Sequence, residues 1–355
     1  MAKKKILFLG ETYRADAITW MNGLKEFGDF EIVTWELQTS SNGINRIKRL
    51  FELSKAILTI KSIVKKINPD MVIAERTTSY GYLAAISGLK PMVVAQQGIT
   101  DLWPHNSPLY IFKKMLQDYA FKKADLIHAW GDVMAKHMKE SNVDMSKVMV
   151  LPKGINLDFF EFNDSSDDTM INAIVTRALQ PEYRHDLILK AFSIVKENKI
   201  PFKLAIIGDG IEFKKLKNLA KELNIEDEVD FVGKVNNNDV PKFLQQANFY
   251  ISMPTTEGVS ASLFEAMACG CFPIVSDLPG NRSWITEKVN GILVPSENHI
   301  KLAEELRWAF DNTNLTKDAV RQNRKFVEEN ANYKTNMKKI ARTYNDLIKI
   351  KSTTT

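Results

Sequence analysis

Residues 249–276 read FYISMPTTEGVSASLFEAMACGCFPIVS. An apolar run at 249–253 gives way to a loop holding Pro254, Glu257 and Gly258, then to a stretch of helical period, then to a second apolar run at 271–276. Short apolar runs bounded by Gly and Pro read as buried strands, and two of them joined through a helix form a parallel βαβ unit. Outward from this unit the alternation continues. Upstream lie INAIVT (171–176), FKLAIIG (202–208) and EVDFVG (228–233), and downstream lies GILVP (291–295). An earlier series comprises KILFL (5–9), FEIVTW (30–35), MVIA (71–74), MVVA (92–95), LIHAW (126–130) and KVMVL (147–151). The pattern predicts an α/β protein of two Rossmann-like, doubly wound domains, with a ligand in a cleft at the carboxyl ends of both sheets. The polar, acidic segment EFNDSSDDT (161–169) has no period and reads as the junction. The expected divisions are a first domain over 1–160, a linker over 161–170, a second domain over 171–335 and a terminal stretch over 336–355.

Composition agrees with this reading. The chain has 355 residues, 45% of them apolar and 26% charged, which excludes a disordered, collagenous or coiled-coil protein. Its two cysteines, Cys269 and Cys271, make no disulfide framework and suggest a reducing, cytoplasmic setting. With no second pair and no His cluster nearby, they read as packing rather than a zinc site. Lys3 to Lys5 precede an apolar run, Ile6 to Leu9, too short for a signal peptide, and no stretch reaches the roughly 18 to 20 apolar residues of a membrane span. Membrane contact is therefore expected only at a surface. Residues 44–67, INRIKRLFELSKAILTIKSIVKKI, form an amphipathic helical pattern with seven basic residues against one acidic. Such a helix either attaches to an anionic membrane or presents an ordinary solvated face. Residues 1–165 carry a net +4 and the remainder +1, without interleaved aromatics, so nucleic acid is not an expected partner.

The loop at 254–262 is where chemistry is expected. A Gly-containing loop after a strand and before a helix exposes backbone N–H groups at the positive end of the helix dipole, a ready site for phosphate. Ser260, Ala261 and Ser262 are small enough for a phosphate to approach the backbone beside Gly258 and Val259. Glu257 and Glu265 would repel a phosphate, so they read either as acceptors for sugar and ribose hydroxyls or as capping and solvation. No Asp-x-Asp stands at a strand end. The Asp167-Asp168 pair lies in the junction and reads as solvated loop, so no metal is expected.

The run EGVSASLFEAMACG, followed by Pro273-Ile274-Val275, Ser276-Asp277 and Pro279-Gly280-Asn281, resembles the family-4 (group 1) retaining glycosyltransferases of the GT-B fold. AIVTRAL (173–179), IIGDG (206–210), VDFVGKV (229–235) and NGILVP (290–295) extend the likeness over the second half. In the first half QGITD (97–101), ADLIHAW (124–130) and LPKGIN (151–156) are its landmarks. The resemblance implies transfer of a sugar from a nucleotide-diphosphate donor to a hydroxyl of a glycan or lipid-linked acceptor, with retention and without a metal or other cofactor. It implies work on cell-surface polysaccharide at the cytoplasmic membrane face. It also implies a C-terminal helix around 336–350 that crosses back to the first domain.

The resemblance assigns the donor diphosphate to Arg177 and to a second cation, for which Arg184 and His185 are candidates where the family usually has Lys-Gly. Glu265 is assigned to the ribose, Glu257 to the transferred sugar, and the backbone around Gly233 and Lys234 to the base. The turn Gly208 to Gly210 lacks the wider G-x-G-x-x-G spacing and reads as a tight turn into a helix starting near Glu212, with its backbone a candidate to border the ligand. In the first domain only Gly10 remains of the family's Gly-Gly loop. Gln97 stands where a His usually touches the sugar, and Gln accepts no proton at neutral pH. Thr100 and Asp101 are candidates for the acceptor side, and His128, on the LIHAW strand, reads either as a residue facing the cleft or as a satisfied core histidine. Two other readings share the architecture: a nucleotide-sugar 2-epimerase, which Gln97 disfavours, and a non-catalytic sugar-nucleotide-binding subunit.

Overall fold

The structure, a computed structural model, describes residues 3–39, 45–96, 109–163 and 169–354. Two six-stranded parallel sheets organise it. The first has the order β2-β1-β3-β4-β5-β6, built from β1 (Lys5–Leu9), β2 (Glu31–Trp35), β3 (Met71–Glu75), β4 (Met92–Gln96), β5 (Leu126–Ala129) and β6 (Val148–Val150). The second has the order β12-β11-β10-β7-β8-β9, built from β7 (Ile171–Thr176), β8 (Phe202–Ile207), β9 (Val229–Gly233), β10 (Phe249–Ser252), β11 (Phe272–Ser276) and β12 (Ile292–Val294). All twelve fall on the apolar runs read from the sequence. Helices alternate with them, so the predicted α/β class of two doubly wound sheets holds.

Covering both faces with helices is what the composition of the central strands requires. Residues Ile6–Leu9, Met71–Ala74 and Met92–Ala95 are buried almost completely, as parallel strands without a solvent face must be. In the second sheet Ala173, Val175, Leu204, Ile206, Ile251 and Ile274 face one side, packing with helices His185–Glu197 and His299–Asp311. Ile174, Tyr250 and Val275 alternate to the other side, against helix Ala261–Cys269. The period of two along each strand makes this division.

The chain divides into two compact units, residues 1–153 with 334–355, and residues 154–333. The first boundary falls earlier than the expected 160, because Ile155 and Phe160 are buried in the core of the second unit. Residues 161–163 are likewise no free linker: the Asn163 N–H donates to Cys269 O at 3.2 Å, and its Nδ2 donates to Gln245 O at 2.8 Å. The Asp167-Asp168 pair lies outside the described residues. At the other end, helix Tyr333–Thr354 packs on the first unit, with Tyr344 buried beside His128 and Asn336 Nδ2 donating to Pro152 O at 2.9 Å.

Candidate functional site

In a doubly wound sheet the chain runs outward in one direction, returns to the middle and runs outward in the other, which leaves a crevice beyond the carboxyl ends of the two central strands. In the second sheet that switch lies between β7 and β10, which pair at Ala173 with Phe249 and at Ile174 with Tyr250. Arg177 is the residue after β7, and the loop 253–260 follows β10. The topology therefore brings together two segments that are some 80 positions apart in sequence.

The guanidinium of Arg177 is the hub. Its Nε donates to Ser252 Oγ at 3.3 Å, and its Nη2 donates to Ser260 Oγ at 2.6 Å and to Glu257 Oε2. The Tyr183 ring lies against its other side, 5.3 Å from Cζ to the ring centroid. Burial works against its charge, but Tyr250, Glu257 and Tyr183 outweigh it and raise the pKa, so Arg177 is a fixed cation. Ser260 also serves as the N-cap of helix Ala261–Cys269, where its Oγ accepts from the Leu263 N–H at 3.3 Å. The N–H groups of Ala261 and Ser262 belong to the first helical turn, which has no intrahelical acceptors. Cation and helix N-terminus thus share one hydroxyl, and a single anion fits both.

Glu265 lies one turn further along the same helix, above Ala261. Burial pushes its carboxyl up to about 7, with Arg177 pulling the other way. At neutral pH it is poised between donor and acceptor of a hydrogen bond. Two glycines let the surrounding loops close in. A Cβ on Gly208, at φ +147°, would strike the Arg177 carbonyl, and a Cβ on Gly280 would press on the Glu257 and Gly258 carbonyls. The Gly208 N–H also donates to Gly233 O at 2.9 Å, joining the β8 and β9 turns. Beyond Gly233, Lys234 lines an open cavity of about 520 Å³ with Val235, Asn236, Asp239, Lys242 and Phe243.

The chain matches the family described as Glycosyl transferases group 1 over residues 158–326, and Glycosyl transferase 4-like over residues 5–129. The chain belongs to the group 1 glycosyltransferases. An uncharacterized glycosyltransferase of Haemophilus influenzae is 34% identical over 132 residues, a match spanning 37% of this chain and 36% of that protein. A longer match, 24% identical over 79% of this chain and 78% of the relative, is to the N-acetylgalactosamine-N,N'-diacetylbacillosaminyl-diphospho-undecaprenol 4-alpha-N-acetylgalactosaminyltransferase of Campylobacter jejuni. Among solved structures, Anabaena HepE in complex with UDP superposes with a TM-score of 0.78 at 16% identity, covering 98% of this chain and 100% of that one. The fold of this glycosyltransferase is GT-B.

The remaining expected residues of the glycosyltransferase divide. Arg184 is committed to Asp186 Oδ1 at 3.3 Å and to Glu297 Oε1 at 2.8 Å, and both contacts raise its pKa. Its left-handed backbone, φ 51°, turns the chain into helix His185–Glu197. His185 is not the second cation: burial drives its pKa down to about 4, leaving a neutral ring. His128 does not face a ligand either. It is fully buried, its Nε2 donates to Leu151 O at 2.8 Å, and its Nδ1 therefore accepts from the Tyr344 hydroxyl at 3.0 Å. Burial lowers it to about 4. Gly10 ends β1 against a carboxylate rather than open space. The neighbouring Glu11 N–H donates to Glu75 Oε2 at 2.9 Å, and burial raises Glu75 to about 6. Glu11 itself is buried and gathers Arg76 at 2.6 Å with Arg14 and Arg49 at 3.4 Å. Gln97, Thr100 and Asp101 lie outside the described residues. Cys269 and Cys271 are buried free thiols, both pushed up by burial, Cys269 to about 12.

Sequence reading passed over Ser252 and Tyr183, which hold Arg177 from two sides. A hydroxyl at the end of an otherwise apolar strand was the available signal for Ser252. Tyr183 had none, because its contact depends on how the 178–184 turn folds back.

Proposed function

We propose that this protein is a retaining, metal-independent glycosyltransferase whose second unit holds a nucleotide-diphosphate sugar and transfers the sugar to a hydroxyl of a glycan or lipid-linked acceptor. The observation that carries the reading is Arg177: a permanently charged fork fixed at the topological switch and hydrogen-bonded to the cap of a helix whose first amides point outward. Transfer breaks the bond between the anomeric carbon and the β-phosphate oxygen and forms a bond from that carbon to the acceptor oxygen on the same face. The acceptor proton passes to a donor phosphate oxygen, so no protein base is needed. Negative charge grows on the leaving diphosphate, where a preorganised guanidinium and helix amides have their largest effect. Glu257, released from Arg177 when the diphosphate takes its place, contacts the sugar, and Glu265 accepts from the ribose hydroxyls. The backbone at Gly233 and Lys234 reads the base, beside the cavity lined by Lys234.

Relatives named for diphospho-undecaprenol acceptors and the net +6 of helix Asn45–Ile67 support work on lipid-linked glycans at the cytoplasmic membrane face, in polysaccharide synthesis. The UDP in the HepE complex makes UDP-sugars the first donors to try. A thermal-shift panel of UDP-, GDP-, ADP- and dTDP-sugars tests the reading on the wild type and on Arg177→Ala, since a ligand of the native state raises the melting point. One nucleotide class should stabilise the wild type and not the variant. Stabilisation by none of them, or equal stabilisation of both proteins, would remove the donor site described here. With a turning-over donor, the proton NMR coupling of the product's anomeric hydrogen decides retention.

A further inference from the structure

Two helices of the first unit leave apolar side chains in water. In helix Asn45–Ile67, Phe51 is 69% and Leu58 82% exposed, two turns apart on one face with Leu50 beside them. In helix Tyr110–Lys123, Ile111 is 74% and Met115 64% exposed, again on one face and joined by Phe112. Both helices lie on the same side of the first sheet. Right-handed crossovers from β2 to β3, β3 to β4 and β4 to β5 all advance in one direction, so their helices share a face, while the reversed step from β1 to β2 puts helix Ala15–Gly28 on the other. The short helix Ser79–Ser87 packs between the two and against both, and its Tyr82 ring meets Tyr119 at 5.7 Å.

The same two helices are basic, although Arg49 turns inward to Glu11 at 3.4 Å and does not reach the outer face. Helix Asn45–Ile67 carries a net +6 and helix Tyr110–Lys123 a net +3, a combined +9 against +5 for the whole chain, so the other residues sum to −4. Lys55, Lys61 and Lys65 share the face of Phe51 and Leu58 by helical spacing. An apolar stripe ringed by cations fits an anionic bilayer: the apolar tips enter the acyl boundary while the ammonium groups meet lipid phosphates. A protein partner or a second copy of this chain would bring its own surface, and a second copy would set one basic face against another.

We infer that the outer faces of helices Asn45–Ile67 and Tyr110–Lys123 together form a docking surface for an anionic lipid bilayer. This deepens the membrane placement proposed above by naming the surface, and it does not depend on the donor site. The test is cosedimentation with vesicles of pure phosphatidylcholine and of phosphatidylcholine with an equal part of phosphatidylglycerol. The wild type should partition onto the anionic vesicles at least about tenfold more strongly than onto the neutral ones. Ile111→Glu with Met115→Glu should lower that partition at least about tenfold, and Lys55→Glu with Lys61→Glu should do the same. All four positions are exposed, and far-UV circular dichroism with an unchanged melting point certifies folding of each variant. Equal binding to both vesicle types, no binding by the wild type, or undiminished binding by the variants overturns the assignment. So does a wild-type dimer in analytical ultracentrifugation that the Ile111/Met115 variant dissolves. Donor-induced thermal stabilisation, measured on the same preparations, should be unchanged in the variants. Its loss in the wild type refutes the donor reading alone, and absent vesicle binding refutes the docking surface alone.

Discussion

Glu265→Gln should make the protein more stable and a poorer enzyme, and the gain in stability should depend on pH. The carboxyl titrates at about 7 in the folded chain against an ordinary 4.5, because burial disfavours its charge. Below 4.5 it is protonated in both states and neither helps nor harms. Between 4.5 and 7 the unfolded chain releases its proton while the folded one retains it, so stability falls as pH rises; above 7 the full penalty persists. At about 1.4 kcal/mol for each tenfold in proton affinity, the penalty is about 3 kcal/mol at pH 8 and about 1 kcal/mol at pH 5. Gln carries no such charge. Its other differences from Glu are independent of pH, so the stability advantage of the variant should be about 2 kcal/mol larger at pH 8 than at pH 5. Urea unfolding followed by tryptophan fluorescence measures this gap. A gap equal at the two pH values would refute the burial argument for Glu265. Donor affinity should fall about tenfold or more in the same variant, since a hydrogen bond to a charged acceptor is worth more than one to an amide.

Three further outcomes check other parts of the site. His128→Phe removes the partner of both Leu151 O and the Tyr344 hydroxyl, so it should destabilise the protein by about 2–4 kcal/mol in urea unfolding while donor-induced thermal stabilisation is unchanged. Gly208→Ala forces a Cβ toward the Arg177 carbonyl at a φ that L residues avoid; it should cost about 2–4 kcal/mol in urea unfolding and abolish the thermal response to donor, because Arg177 must move. Glu11→Gln leaves Arg14, Arg49 and Arg76 gathered without their shared carboxylate and should cost about 3 kcal/mol, read as a lower urea midpoint at unchanged slope.

Much of this protein was written into local patterns. Twelve apolar runs, most of them bounded by Gly or Pro, named the twelve strands, because a parallel strand covered by helices favours apolar residues; the edge strands β2 and β9 keep polar ones where they are less covered. The loop before Ala261 announced a helix N-terminus, since a Gly-containing loop between a strand and a stretch of helical period has a local cause; that the Ser260 hydroxyl caps the helix emerged only in the structure. Arg177 was singled out by the family resemblance, which places a cation after the first strand of the second half, and not by a local pattern. What the sequence did not disclose is everything that depends on which strands are neighbours. The order β12-β11-β10-β7-β8-β9 sets Arg177 against Ser252, Glu257 and Ser260 across some 80 positions, and no local pattern encodes that pairing. The same holds for His128, whose strand position is compatible with a cleft or a core. Only the return of helix Tyr333–Thr354, with Tyr344 over the ring, decides for the core. Residues 154–163 look like part of a first domain and a polar linker, yet Ile155 and Phe160 bury themselves with the second unit. Periodicity reports the environment of a residue along its own element; the partner on the other side of the contact is chosen by the fold as a whole.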